Sequence, residues 1–140
     1  MTSMQAALGL SQLGRLDTIV SEKRQIGLAY RELFKSDSEF QLQTDRTEYS
    51  VNQYWVVGVL LPEGIDMRIV ADRMRKQGVD SRPFFFPLHQ QPVLKKFGLE
   101  NQASLPVSER LGRRGLYLPS FIGITEEQIL MSADALKKAI

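Results

Sequence analysis

The chain has 140 residues, no cysteine, a single histidine, and 18 basic against 16 acidic side chains for a net charge of +2. That length makes about one domain, able to bury roughly two-thirds of the surface its unfolded form exposes, so no covalent staple is needed. The composition excludes disulfides, thiolate catalysis, sulfur-ligated zinc and histidine-rich metal sites.

Met1 to Phe34 contains no proline, and its apolar residues from Leu16 onward fall at spacings of three and four, which predicts helix. Gly14, followed by Asp17 as an N-cap, predicts a bend between a small-residue first helix and a longer amphipathic second one. The first helix carries apolar residues on several sides, a pattern that needs cover either from this domain or from something else.

Phe40 and Leu42 alternate with Gln41 and Gln43, as in a short strand. Val51 to Leu61 is near-continuously apolar and reads as the strongest strand, covered on both faces or meeting another subunit. Pro62-Glu63-Gly64 is a turn; Asp66 then caps a helix carrying Met67, Val70, Ala71 and Met74 on one side, with Ile65 and Val70 as a staple and Gly78 as its stop.

Asp80 to Pro92 packs Phe84, Phe85, Phe86, Arg82, His89 and three prolines into thirteen residues. Prolines at 83, 87 and 92 remove backbone donors and disfavour helix at the residues before them, so the segment must extend or turn. It reads as a second strand leading polar side chains to a pocket rim. On alternation, Phe84 and Phe86 share one face and Phe85 takes the other.

Val93 to Gly98 makes one turn and Leu99 to Leu105 is irregular. Pro106 opens a short helix that Gly112 or Gly115 ends. Leu116-Tyr117-Leu118 is a third, very short strand. Thr125-Glu126-Glu127-Gln128 is a capping box ahead of an apolar stripe at Ile129, Ala133, Leu136 and Ile140. The expected fold is a single α+β domain over 1–140: a small, mostly antiparallel sheet of three or four strands, helices mainly on one side, and a long bent helix over 1–34 leading in.

The paired cations Arg113-Arg114 and Lys137-Lys138 fall at expected helix C-termini, where the helix dipole favours them without a ligand, so no nucleic-acid partner is expected. No apolar run approaches the roughly 18 residues of a membrane span, and the N-terminus lacks the order of a signal peptide, so no membrane partner and a cytoplasmic location are expected. Neither glycine fingerprint for phosphate binding occurs, and no serine sits in a nucleophile elbow. Chemistry concentrates instead on 80–92. Arg82 can clamp a phosphate or carboxylate, or simply make a surface salt bridge. His89 is either a hydrogen-bonded structural group or a ligand contact. With Phe84 and Phe86 as a wall, these form the candidate substrate-binding set.

The run Met1-Thr2-Ser3-Met4-Gln5-Ala6-Ala7-Leu8-Gly9-Leu10-Ser11-Gln12-Leu13 with Arg15-Leu16-Asp17, then Ser81 to His89, Pro106 to Leu111 and Leu118-Pro119-Ser120, resembles in order the DegT/DnrJ/EryC1/StrS sugar aminotransferases. The wording around Tyr54-Trp55 and Asp80 to Phe86 looks nearest to perosamine synthase-like members, which aminate a GDP-linked 4-keto-6-deoxy sugar. The resemblance implies fold type I and pyridoxal phosphate chemistry, with glutamate as amino donor. It also implies a nucleotide-sugar substrate contacted near His89, and a homodimer in which 1–13 and the large domain take part. It places the Schiff-base lysine, the aspartate for the pyridine nitrogen and an Asn-Arg pair upstream of Met1. The chain is therefore expected to be a C-terminal small domain, as a fragment or truncated product, with no catalytic residue, no bound cofactor and no activity of its own. Lys23, Lys35, Lys76, Lys95, Lys96, Lys137 and Lys138 read as helix faces, ends or loops, so none is expected to be desolvated or trapped selectively by pyridoxal phosphate and borohydride. The rival is a stand-alone, non-enzymatic module for dimerisation or nucleotide-sugar binding, which a polar entrance helix would favour.

Overall fold

The computed structural model describes residues 1–99 and 104–140. Helix α1 (Ser3–Leu13) opens with Thr2 and Gln5 in a reciprocal capping box and buries none of its residues. The predicted break falls at Gly14-Arg15, and α2 (Leu16–Leu33) follows. Asp17 is not its cap. Arg15 stands at the cap position without a side-chain bond, and Asp17 lies in the first turn, where the helix dipole favours a carboxylate. Ile26 and Tyr30, one turn apart, carry the buried stripe of α2 into the core.

Strands β1 (Gln41–Leu42), β2 (Val57–Leu60), β3 (Arg82–Pro83) and β4 (Gly115–Leu118) form one antiparallel sheet in the order β1-β2-β4-β3. The very short third strand of the sequence reading is thus a central one. Val57 pairs with Leu118 and Val59 with Leu116, and these four side chains face the helices. Against them pack Ile26 and Tyr30 of α2, Val70 and Met74 of α3 (Met67–Lys76), and Ile129, Ala133 and Leu136 of α6 (Glu126–Ala139). The α+β architecture, with its main helices on one side, is as expected.

Helix termini follow their sequence signals. Asp66 caps α3 by accepting from the Arg68 N–H at 2.8 Å. Gly78, at φ +81°, closes that helix: its own N–H bonds Arg75 and the Val79 N–H bonds Met74, a Schellman arrangement. The box at Thr125 and Gln128 opens α6. Three of the four predicted stripe residues, Ile129, Ala133 and Leu136, are buried, whereas Ile140 is about a third exposed.

Two strands are shorter than predicted. Of Val51 to Leu61, only Val57–Leu60 belongs to the sheet, with an isolated bridge between Val51 and Arg46. The Asn52 carboxamide oxygen accepts the Tyr54 N–H at 2.8 Å, and Tyr54 adopts φ 49°. A side-chain turn of this kind competes with strand pairing. Asp80 to Pro92 pairs only at Arg82-Pro83, then adds one bond from the Phe84 N–H to Gly115. Pro83 is tolerated because β3 is an edge strand. Past Pro87 the chain coils into a 3-10 turn (Leu88–Gln90) and α4 (Pro92–Lys96). Part of the predicted irregular stretch, 100–103, lies outside the described residues. Helix α5 (Pro106–Arg114) then leads directly into β4 at Gly115.

The second face of the sheet is built for one ring. Gly58 and Gly115 lie there, and a Cβ at either would come 2.7 Å or 2.2 Å from Phe84. Phe84 fills that space and stacks on Tyr117 with ring centroids 4.5 Å apart. All four residues of β2 are consequently buried, which is why its sequence lacks polar alternation.

Candidate functional site

Where β2 begins, β4 ends and β3 begins, the chain forms a cleft of about 980 Å³. One wall is α2, through Ile19, Val20 and Lys23, which follow helical spacing on one side. The facing segments bring Trp55, Ser81, Arg82, Phe85 and the loop Pro119 to Ile122. Helix α2 also holds that loop in place. The Tyr30 hydroxyl donates to the Pro119 carbonyl at 2.8 Å, and the Lys23 ammonium donates to the Ser120 carbonyl, with Ser120 Oγ at 3.4 Å. Burial pushes the Tyr30 phenol up to about 12, so it stays a donor throughout the physiological range.

Burial also holds the Lys23 ammonium below the usual lysine range. This corrects the expectation that no lysine is desolvated or placed in a cleft. The signal was its position three and four residues after Val20 and Ile19, a helical spacing that sets a cation on an apolar side. Ser81 Oγ is buried in the cleft wall without a hydrogen-bond partner among the described residues. Among the described residues that line the cleft, Asp80 is the sole carboxylate, and it already faces Arg75 at 3.9 Å.

The four residues singled out from the sequence do not converge. Arg82 lines the cleft and, among the described residues, makes no salt bridge. Phe84 lies over the sheet glycines, reaching the cleft only through its stack on Tyr117. Phe86 is exposed and outside the lining, and Phe85, placed by alternation on the opposite side, lines the cleft and meets Tyr117 edge-on at 6.0 Å. Strand alternation fails here because pairing stops at Phe84. His89 also stands outside the lining. Its Nε2 lies 3.2 Å from Glu109 Oε1, which in addition accepts the Leu105 N–H at 3.0 Å. Those two bonds hold the Glu109 carboxyl below the usual carboxylate range, the backbone bond contributing most. The pair ties the 3-10 turn to the start of α5.

Trp55 went unnoticed as a site residue because it reads as one more apolar position of a strand. In the structure it is 74% exposed at the cleft. Its neighbour Tyr54 is the reason: the left-handed turn there buries the Tyr54 ring over Gly27 and turns the next side chain outward.

The chain is thus a small antiparallel sheet with helices on one face and a cation-bearing aromatic cleft at its end, an α+β fold with no group of residues able to hold a metal ion among its described residues. The chain belongs to the DegT/DnrJ/EryC1/StrS aminotransferase family, whose model matches residues 1–137. It is 28% identical over 139 residues to a GDP-perosamine synthase of Escherichia coli O157:H7, covering 99% of this chain and 36% of that protein. Among solved structures, it resembles DesI in the presence of its TDP-sugar product, with a TM-score of 0.81 and 30% identity over 95% of this chain and 34% of that one. The Escherichia coli GDP-4-keto-6-deoxy-D-mannose-3-dehydratase with bound hydrated PLP shares the fold, at a TM-score of 0.79 and 20% identity over 95% of this chain and 34% of that one. The chain spans about a third of the length of the relatives it matches.

Proposed function

We propose that these residues are the C-terminal small domain of a pyridoxal-phosphate-dependent nucleotide-sugar aminotransferase, and that their cleft forms part of the nucleotide-sugar site. The observation that carries this reading is a family match running through residues 1–137 while the chain covers only about a third of its curated relatives. The substrate it favours is a keto-deoxy sugar nucleotide such as GDP-4-keto-6-deoxymannose, with glutamate as amino donor, in keeping with the relative named as a GDP-perosamine synthase.

The cleft does not fit the cofactor itself. A cofactor phosphate calls for free backbone N–H groups at a helix start or a glycine-rich loop. Among the described residues no glycine lines the cleft, and α2 enters it from Ile19, whose N–H is already given to the Arg15 carbonyl. What the chain supplies is ligand holding: Arg82 and Lys23 as cations, aromatic faces, and apolar walls that exclude water. The stand-alone module is disfavoured by α1, which exposes Met4, Leu8, Leu10 and Leu13 and buries nothing. We assign that helix to contact with the rest of the enzyme and its dimer partner. Light scattering on the isolated chain tests this assignment, with self-association expected and a strict monomer at high concentration counting against it.

The functional test is a chimera in which this chain replaces the matching third of a GDP-perosamine synthase. Amino transfer from glutamate to GDP-4-keto-6-deoxymannose is expected from the chimera and none from the 140 residues alone. A folded, cofactor-loaded chimera without turnover on keto sugar nucleotides overturns the reading, as does turnover by the chain alone.

A further inference from the structure

We propose that residues 85–99 form a strap that lifts off α5 and returns to it as one body, with His89 and Glu109 as its latch. The strap begins at Phe85, which lines the cleft, so its opening also withdraws one side of the cleft mouth.

Burial separates this segment from the rest of the domain. Of the residues in 85–99 whose exposure is described, only Pro87 is buried, while Phe85 is 73%, Leu88 76% and Phe97 68% exposed. Lifting the strap therefore uncovers little further apolar surface, and segments with few buried apolar contacts open without unfolding the whole chain. The strap nevertheless has a shape of its own. Pro87 and Pro92 fix their own φ. The Gln90 N–H bonds the Pro87 carbonyl at 3.0 Å, the Leu94 N–H bonds Gln91 at 3.0 Å, and the Leu99 N–H returns to Leu94 at 2.9 Å past Gly98, whose φ is +66°. The Gln91 carboxamide donates to the Phe86 carbonyl at 3.3 Å. All of these bonds close within the strap and survive its departure.

The ground beneath it is fixed. Phe84, just before the strap, is seated over the sheet glycines and gives its N–H to Gly115 at 2.9 Å. The far end of α5 is tied to β2, since Arg114 Nε donates to the Leu61 carbonyl at 2.8 Å and the Leu61 N–H bonds the Arg114 carbonyl at 2.9 Å. Two contacts hold the strap to that helix. The Pro87 ring lies against Gly112, where a Cβ would come 2.7 Å from Pro87 Cδ. The His89 Nε2–H donates to Glu109 Oε1 at 3.2 Å, among the described residues the one side-chain hydrogen bond that leaves the strap. The His89 side chain is only 9% exposed, turned inward from a segment that otherwise faces solvent. Glu109 is held ready independently of it, because the same oxygen accepts the Leu105 N–H at 3.0 Å from its own helix start. A bond to a carboxylate is stronger than one between neutral groups, so one such contact can decide whether a weakly packed segment stays down.

Amide hydrogen exchange of the 140-residue chain, read by mass spectrometry on peptides from 88–99 and from α6, tests the strap and its latch together. The strap is expected to exchange well ahead of α6, whose Ala133 and Leu136 lie in the core. His89→Ala is expected to speed exchange in the strap at least about fivefold and to leave α6 unchanged. His89→Gln, which keeps an N–H donor, is expected to retain most of the protection. Four results overturn the proposal: strap and α6 exchanging together in the wild-type chain, strap exchange indifferent to His89→Ala, an equal rise in both segments, or no rescue by His89→Gln. The outcome concerns the chain by itself, so a chimera without turnover strikes the catalytic reading and leaves the strap standing.

Discussion

The ring of Tyr54 rests on the backbone of Gly27: a Cβ at position 27 would come 2.2 Å from Tyr54 Cγ, far inside van der Waals contact. A glycine in the middle of α2, normally unfavourable in a helix by about 1 kcal/mol, is thereby explained. It admits the aromatic that shapes the loop before β2.

Gly27→Ala is therefore expected to destabilise the chain by about 1–3 kcal/mol, since the ring has no free direction in which to move. Thermal melts followed by circular dichroism measure this. The same variant should shift Trp55 emission, because displacing Tyr54 disturbs its neighbour. A neutral or stabilising substitution would mean the ring can leave its seat.

The Glu109 carboxyl, held below the ordinary carboxylate range by the Leu105 N–H and by His89, gives a pH signature. A depressed folded-state value adds stability that is fully present above the unfolded carboxylate range and is lost as pH falls through the folded value. The wild-type chain should lose more stability than Glu109→Gln as pH drops below about 4.5. Melting temperatures of the two proteins across that window check the sign, and parallel curves would remove the contact from the account.

Lys23 is expected to stand apart from the exposed lysines toward aldehydes. Desolvation favours the neutral, nucleophilic amine, although its bonds to Ser120 restrain it. With pyridoxal phosphate and borohydride, peptide mapping should find the Lys23 adduct ahead of Lys35 or Lys76, and Ser120→Ala, which removes only the Oγ contact, should change it little. Labelling spread evenly over the lysines would contradict the burial of its ammonium group.

The elements legible in the sequence are those whose signals are local. The box at Thr125-Gln128, the Asp66 cap and the Gly78 stop need only their own turns, and each stands where its pattern placed it. Val51 to Tyr54 misled because β propensity is a matter of packing context. Tyr54 is buried by Gly27, a partner 27 positions earlier, and no periodicity within the strand encodes that. The cleft was half legible for the same reason. Arg82 stood out by its proline and aromatic neighbours, whereas Lys23, Trp55 and Ser120 come together only through the docking of α2 on the end of β4. His89 drew notice as the only histidine, and it is the pairing with Glu109, 20 positions later, that shows what it touches.

The most direct measurement is steady-state kinetics of the chimera carrying Arg82→Ala, with the sugar nucleotide and glutamate varied separately. If the cleft forms part of the nucleotide-sugar site, KM for the sugar nucleotide rises about tenfold or more while the half-reaction with glutamate is unchanged, as for loss of one charge-assisted phosphate contact. An unchanged KM for the sugar nucleotide, or an equal loss in the glutamate half-reaction, contradicts the account.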